Sequence, residues 1–254
     1  MESKKIVVNA KEFLKTLKRT VIATEDAKRT VLKGAHVLVG QDFLIIEGTD
    51  AFSLERNKIQ AEVDPEFIDR EIWIEYTFAK KLSKSVSKHG EKITLIPQFD
   101  NSLVDEPIGT LTVIDGYGDV FVDEHPLDSS TNYPQLDRII PQEGAIKFTT
   151  TKKKILPTLK EAYRLVKKEE WNAVKMVIKQ GKVTLNASDQ EFLIDATEVN
   201  DKELSIYFNV SKLIKLISNN SMNASLDFSF QESLRPILIK REKENLSVLT
   251  PIRK

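Results

Sequence analysis

The residues best placed to do chemistry in this 254-residue chain are lysines and arginines that recur a few positions apart. Lys11, Lys15 and Lys18, with Arg19 beside them, form one set. Lys81, Lys84 and Lys88 form a second, Lys153, Lys160, Arg164 and Lys167 a third, and Lys212 and Lys215 a fourth. On a helix, residues three, four and seven apart share a face, so most of each set makes a row of positive charge. A single such row means little, because lysine is a good helix former that coats solvated faces. Four rows in one chain suit contact with phosphate oxygens, and the absence of sequence-reading motifs argues against base recognition. Nothing comparable points to catalysis. His36, His89 and His125 are scattered, and there is no G-x-S-x-G, P-loop or H-E-x-x-H. The carboxylates of VDEH at 122–125 could hold a metal, but an exposed acidic loop is the simpler account. DGYGDV at 115–120 reads as a turn. No cofactor and no metal are expected.

The cationic rows need helices to carry them, and four segments have the apolar period. Residues 10–28 place Phe13, Leu14, Leu17 and Val21 on one stripe, and residues 77–92 do the same with Phe78, Leu82 and Val86. Residues 150–170 carry Leu156, Leu159, Tyr163 and Val166, with Pro157 requiring a late start or a bend. Residues 209–220 carry Val210, Leu213, Ile214 and Ile217, with Asn209 or Ser211 as the cap. These segments hold half of the cations but fewer than one in five of the acids. The formal net charge of zero therefore hides positive helices among acidic strands and loops. The remainder reads as short strands, with hairpin turns at 40–42 and 180–182. There are no cysteines, which excludes disulfides and thiolate chemistry. No apolar run is long enough to span a membrane. The amino-terminal residues lack a signal-peptide pattern, and a cytoplasmic protein is expected.

The two halves resemble each other. VGQDFLIIEGTD at 39–50 aligns with IKQGKVTLNASD at 178–189, and KLSK at 81–84 with KLIK at 212–215. This predicts an α+β fold of two duplicated domains, 1–128 and 142–254, joined by a Pro/Ser/Asp-rich linker at 129–141. In each domain the helices would lie on one side and antiparallel sheets on the other. The last residues, SVLTPIRK, form a strand-like run followed by a Pro-Ile step. Such a run is either tucked into a core or serves as one wall of a site.

Several stretches, taken in order, resemble the bacterial DNA polymerase III beta subunit, the replicative sliding clamp. RTVLKGAHVL followed by FLIIEGTDAFSL resembles that family's middle domain. NYPQLDRIIP resembles its link into the third domain, and YFNVSKLIKLI, SLRPILI and SVLTPIRK resemble segments of that third domain. The resemblance implies a non-enzymatic ring that encircles double-stranded DNA, with the cationic helices lining its hole. It also implies a pocket for short peptides carried by DNA polymerase, the clamp loader and other partners. Carried over by position, that pocket comprises Leu32, Thr49, Ala51, Phe52, Ser53, Leu54, Pro134, Ile139, Pro236, Val248, Thr250, Pro251, Ile252 and Arg253. Ala51-Phe52-Ser53 stands where the family has Gly-His-Arg, so the lip loses polar groups and gains an aromatic. The family builds six-domain rings from three-domain chains, and this chain matches only the last two domains. A ring would then take three copies, as a closed cyclic homotrimer. The alternative is a clamp-derived interaction protein that binds replication partners without encircling DNA.

Overall fold

A computed structural model describes residues 4–85, 90–99, 109–123, 133–241 and 244–253. One order of elements occurs twice, once in each of two compact units, 1–134 and 135–254. In the first, β1 (Ile6–Asn9) leads into α1 (Ala10–Thr24), followed by β2 (Gly34–Val39), β3 (Phe43–Thr49), β4 (Ser53–Val63) and β5 (Glu71–Glu75). Then come α2 (Tyr76–Ser85), β6 (Lys92–Phe99), β7 (Gly109–Ile114) and β8 (Val120–Asp123). The second unit repeats the pattern with β9 (Ile146–Thr151), α3 (Lys152–Val166), β10 (Ala173–Lys179), β11 (Lys182–Ala187), β12 (Gln190–Ile194) and β13 (Leu204–Asn209). It ends with α4 (Val210–Ser218), β14 (Ser225–Phe230), β15 (Ile237–Lys240) and β16 (Leu246–Leu249).

Strand pairing repeats as well, and every named pair is antiparallel. β2 pairs with β3 and β5, and β3 with β4; β10 likewise pairs with β11 and β13, and β11 with β12. The run β1-β6-β7-β8 has its counterpart in β9-β14-β15-β16. In the first unit the long strand β4 also pairs with β1, Ile6 opposite Val63, and so joins the two sets of strands. In the second unit the equivalent join is a single bridge between Thr149 and Thr197, just beyond β12. The expected α+β fold of repeated domains is the observed one.

Local chemistry explains the elements. α1 buries Phe13, Leu14, Leu17 and Val21 against β2, β3 and β4 and packs beside α2. Asn9 caps α1 by accepting from the Glu12 amide at 3.0 Å, and Asn209 caps α4 by accepting from the Lys212 amide at 3.0 Å. The Glu75 carboxylate caps α2, accepting from the amides of Thr77 (2.5 Å) and Phe78 (3.1 Å). In the second unit Phe148 on β9 stands opposite Phe228 on β14, with ring centroids 4.6 Å apart. The Gln180-Gly181 loop has positive φ at both residues (51° and 69°), the geometry a two-residue hairpin needs to match strand twist.

The helix boundaries differ from the sequence expectation. α1 stops at Thr24, so Lys28 lies outside it. The second helix is described only to Ser85, and it does not reach Lys92, which opens β6 opposite Asn9. Val86 and Lys88 lie outside the described residues. α3 runs through Pro157 from Lys152; its first amides, of Lys152 and Lys153, donate to the carbonyls of Ala224 and Met222. Tyr163 and Ile214, expected in the core, are half-buried. Loss of the α4 cap gives a direct check. Asn209→Ala should lower unfolding free energy by about 1 kcal/mol, seen as a reduced urea midpoint with an unchanged slope.

Candidate nucleic-acid face and partner surfaces

The helices present their cations much as their spacing requires. Lys11, Lys15 and Lys18 are exposed on α1 and Arg19 is half-buried. Lys81 and Lys84 are exposed on α2. Lys153, Lys160 and Arg164 are exposed on α3, and Lys167 sits exposed at its carboxyl-terminal cap. Lys212 and Lys215 on α4 are half-buried and so less fully presented. Among the described residues of these four helices the only acids are Glu12 and Glu161. Because α1 packs beside α2 and α3 beside α4, each unit gathers its cations on a pair of neighbouring helices. A shallow groove of about 320 Å³ on α3 is lined by Leu156, Pro157, Lys160, Glu161, Arg164 and Met222.

The residues assigned to a peptide pocket fall into two sets, one in each unit. In the first unit they centre on the tip of the β3–β4 hairpin, where Thr49 pairs with Leu54. Thr49 Oγ1 donates to the Ser53 carbonyl at 2.7 Å and accepts from the Ala51 amide at 3.1 Å. Asp50 Oδ1 accepts from the Phe52 amide (3.0 Å), the Ser53 amide (2.7 Å) and Ser53 Oγ (3.0 Å). These bonds hold Ala51 at a φ of 76°, a left-handed conformation that costs a non-glycine residue about 1–2 kcal/mol. The result is a rigid turn that leaves Phe52 51% exposed. Leu32, Thr49, Ser53 and Leu54 are buried, Ala51 is exposed, and Pro134 is half-buried.

In the second unit Ile139 is exposed, just after a 3-10 turn at Leu136–Arg138. Pro236 is half-buried ahead of β15. After β16 the chain turns onto the edge of β13: Pro251 bridges to Phe208, and the Ile252 amide donates to the Tyr207 carbonyl at 2.8 Å. Val248 and Leu249 are buried, Thr250, Pro251 and Ile252 are half-buried, and Arg253 is exposed. The segment is thus both core and surface: its strand is interior, while its Pro-Ile step lies along a sheet edge.

One cluster in the first unit is not visible from sequence spacing, in which His36 is merely one of three scattered histidines. His36 is buried on β2, with Nδ1 3.1 Å from Glu47 Oε1 and Nε2 2.9 Å from Glu71 Oε2. Arg56 Nε lies 3.4 Å from the other Glu47 oxygen. The Tyr133 ring stacks on the imidazole at 4.2 Å. Burial, and then the nearby Glu47 carboxylate, push the Tyr133 phenol far above its ordinary range. The signal that could have found the cluster is the strand register. Counting outward from the hairpin turns puts His36 opposite Glu47 and Glu47 opposite Arg56. Among the described residues no group of three or more His, Cys, Asp or Glu side chains is placed to hold a metal, and no helix is long and apolar enough to cross a membrane.

Solved structures share this repeated antiparallel helix-on-sheet fold. The DNA polymerase III beta chain of Streptococcus pneumoniae superimposes with a TM-score of 0.82 at 21% identity, covering 100% of this chain and 66% of that one. The DNA polymerase sliding clamp of Bacillus subtilis gives 0.83 at 21% identity, covering 100% and 65%. Residues 137–252 match the family model for the DNA polymerase III beta subunit, C-terminal domain. The curated beta sliding clamp of Bacillus subtilis (strain 168) is 24% identical over 252 residues, which is 95% of this chain and 63% of that relative's length. The second unit thus matches the C-terminal domain of the DNA polymerase III beta subunit, and the chain spans less than two thirds of that curated relative.

Removing residues 252–254 separates the structural role of the last segment from any binding role. It deletes the hydrogen bond that the Ile252 amide donates to the Tyr207 carbonyl and leaves Val248 and Leu249 in place. Stability should fall by about 1 kcal/mol, the worth of one hydrogen bond. A binding role would show as a loss of roughly 1–3 kcal/mol in affinity for a Gln-Leu-x-Leu-Phe type peptide. Melting curves and peptide titrations on the same variant read both.

Proposed function

We propose that the protein is a DNA sliding clamp, a non-enzymatic processivity factor of the cytoplasm that encircles duplex DNA and tethers a polymerase. The observation that carries this is the segregation of charge. Exposed lysines and arginines gather on α1, α2 and α3, with half-buried Lys212 and Lys215 on α4, and Glu12 and Glu161 are the only acids among the described residues of those helices. Such rows attract phosphates weakly and without sequence preference, which is what a sliding contact requires. Threading supplies persistence, so tight binding is unnecessary, and a formal net charge of zero suits the task. With two clamp units per chain, a ring of six units takes three copies, a closed heterologous homotrimer. The Phe52 turn in the first unit and the Pro251–Ile252 edge in the second are surfaces for the linear peptides of a polymerase, a clamp loader and other partners. An exposed aromatic on a rigid turn is a typical anchor for such binding. That same surface is what favours the alternative, a partner-binding protein that does not surround DNA.

Charge reversal at Lys15, Lys84, Lys160 and Lys215 tests the cationic face. The variant should fold, because these positions lie off the buried stripes. DNA association should weaken, and the slope of log affinity against log salt should shrink by about 0.9 for each phosphate no longer neutralised. An unchanged salt slope would remove the basis for DNA binding by these helices. Sedimentation at micromolar protein should show a trimer; monomer or dimer at every accessible concentration would count against that stoichiometry.

A further inference from the structure

The cluster around His36 lies on strands, apart from the cationic rows of the helices, and is among the most completely specified groups in the first unit. Carboxylate oxygens accept hydrogen bonds and never donate them. The two ring nitrogens of His36 face Glu47 Oε1 at 3.1 Å and Glu71 Oε2 at 2.9 Å, so both bonds form only when both nitrogens carry protons. A neutral ring must give up one. The two acids are not equivalent. Glu47 is 3% exposed and also faces Arg56, whereas the Glu71 side chain is 65% exposed. On loss of the proton, Nδ1–H stays with buried Glu47, and Glu71 turns to water.

The face of the same ring carries Tyr133, stacked at 4.2 Å with an interplanar angle of 24°. An imidazolium under an aromatic face is held more strongly than a neutral ring. Tyr133 immediately precedes Pro134, the last residue of the first unit. The groups facing His36 from packed elements are therefore Glu47 on β3, Glu71 on β5 and Tyr133 after β8, with Arg56 on β4 behind Glu47.

We propose that His36 is a proton-operated fastener: protonated, it holds Tyr133 and so Pro134 in place on the first unit, and deprotonated it lets them loosen. Since Pro134 is among the residues assigned to partner-peptide binding, His36 is a positioning residue that tunes that binding, an effect that rests on the partner-peptide role proposed above. The sign follows from the hydrogen-bond count. Fastening is strongest when His36 is charged and both acids are ionised, and it weakens as pH rises through the His36 transition.

The test follows the His36 and Tyr133 ring resonances of the intact protein by NMR across about pH 5 to 8, where histidines change charge. The two rings should move together with one midpoint. Tyr133 should stop responding in His36→Gln, and its response should shrink in Glu71→Ala, which alters only an exposed side chain. Affinity for a fluorescent Gln-Leu-x-Leu-Phe peptide should fall by about tenfold across the same transition, the worth of one hydrogen bond to a charged group. Tyr133 resonances that stay fixed while His36 titrates would overturn the proposal. So would a His36 that keeps one protonation state throughout, or a Tyr133 transition that persists in His36→Gln. Rings that titrate together, with no peptide affinity at any pH, would support the fastener and reject the peptide site.

Discussion

Each helix of this protein has to bury one apolar stripe against a sheet, and that single requirement organises the surface as well as the core. Phe13, Leu14, Leu17 and Val21 fix the rotation of α1; Ile155, Leu156, Leu159 and Val166 do the same for α3. Once the stripe is seated, the lysines, which recur three and four residues from one another off that stripe, have only the outer face to occupy. The cationic face is thus a by-product of packing with a chosen polar residue type, and it costs no buried charge. Changing it by mutation should leave the fold intact, which makes the electrostatic account separable from the structural one.

The duplication works through the same economy. Both units use one topology, yet they join their two sets of strands differently. The first extends β4 far enough to pair with both β3 and β1, whereas the second makes one bridge between Thr149 and Thr197. The first unit adds a side-chain ladder, exposed Glu71 followed by the largely interior His36, Glu47 and Arg56, where a simpler module would carry apolar side chains. Buried ionic groups of this kind are costly unless fully paired. Their placement beneath Tyr133 puts that cost at the point where the chain leaves the unit.

Much of this was legible in the sequence because it is periodic. The helices, their cationic rows, the turns at Gly40–Asp42 and Gln180-Gly181 and the internal repeat all follow from spacing of 3.6 or 2 and from turn chemistry. Helix ends were not legible. Glu25 and Asp26 continue a polar pattern past the true end of α1, and Lys92 belongs to a strand only because Asn9 lies opposite it. Pro157 is tolerated within α3, against a strong local rule. The candidate peptide residues came from resemblance, which gives order but no burial: Leu32 and Leu54 are interior while Phe52 is 51% exposed. The role of His36 is hidden in the sequence because its partners come from other strands and only the register brings them together.

In the proposed function the protein holds DNA by enclosing it, with the cationic helices supplying a weak inner contact. Retention on DNA of different topology tests this most directly. After loading, protein should stay on closed circular duplex through a high-salt wash that screens the phosphates, and it should be released when the circle is cut once. Equal release from closed and cut DNA would contradict enclosure and leave a protein that meets its partners without surrounding the duplex.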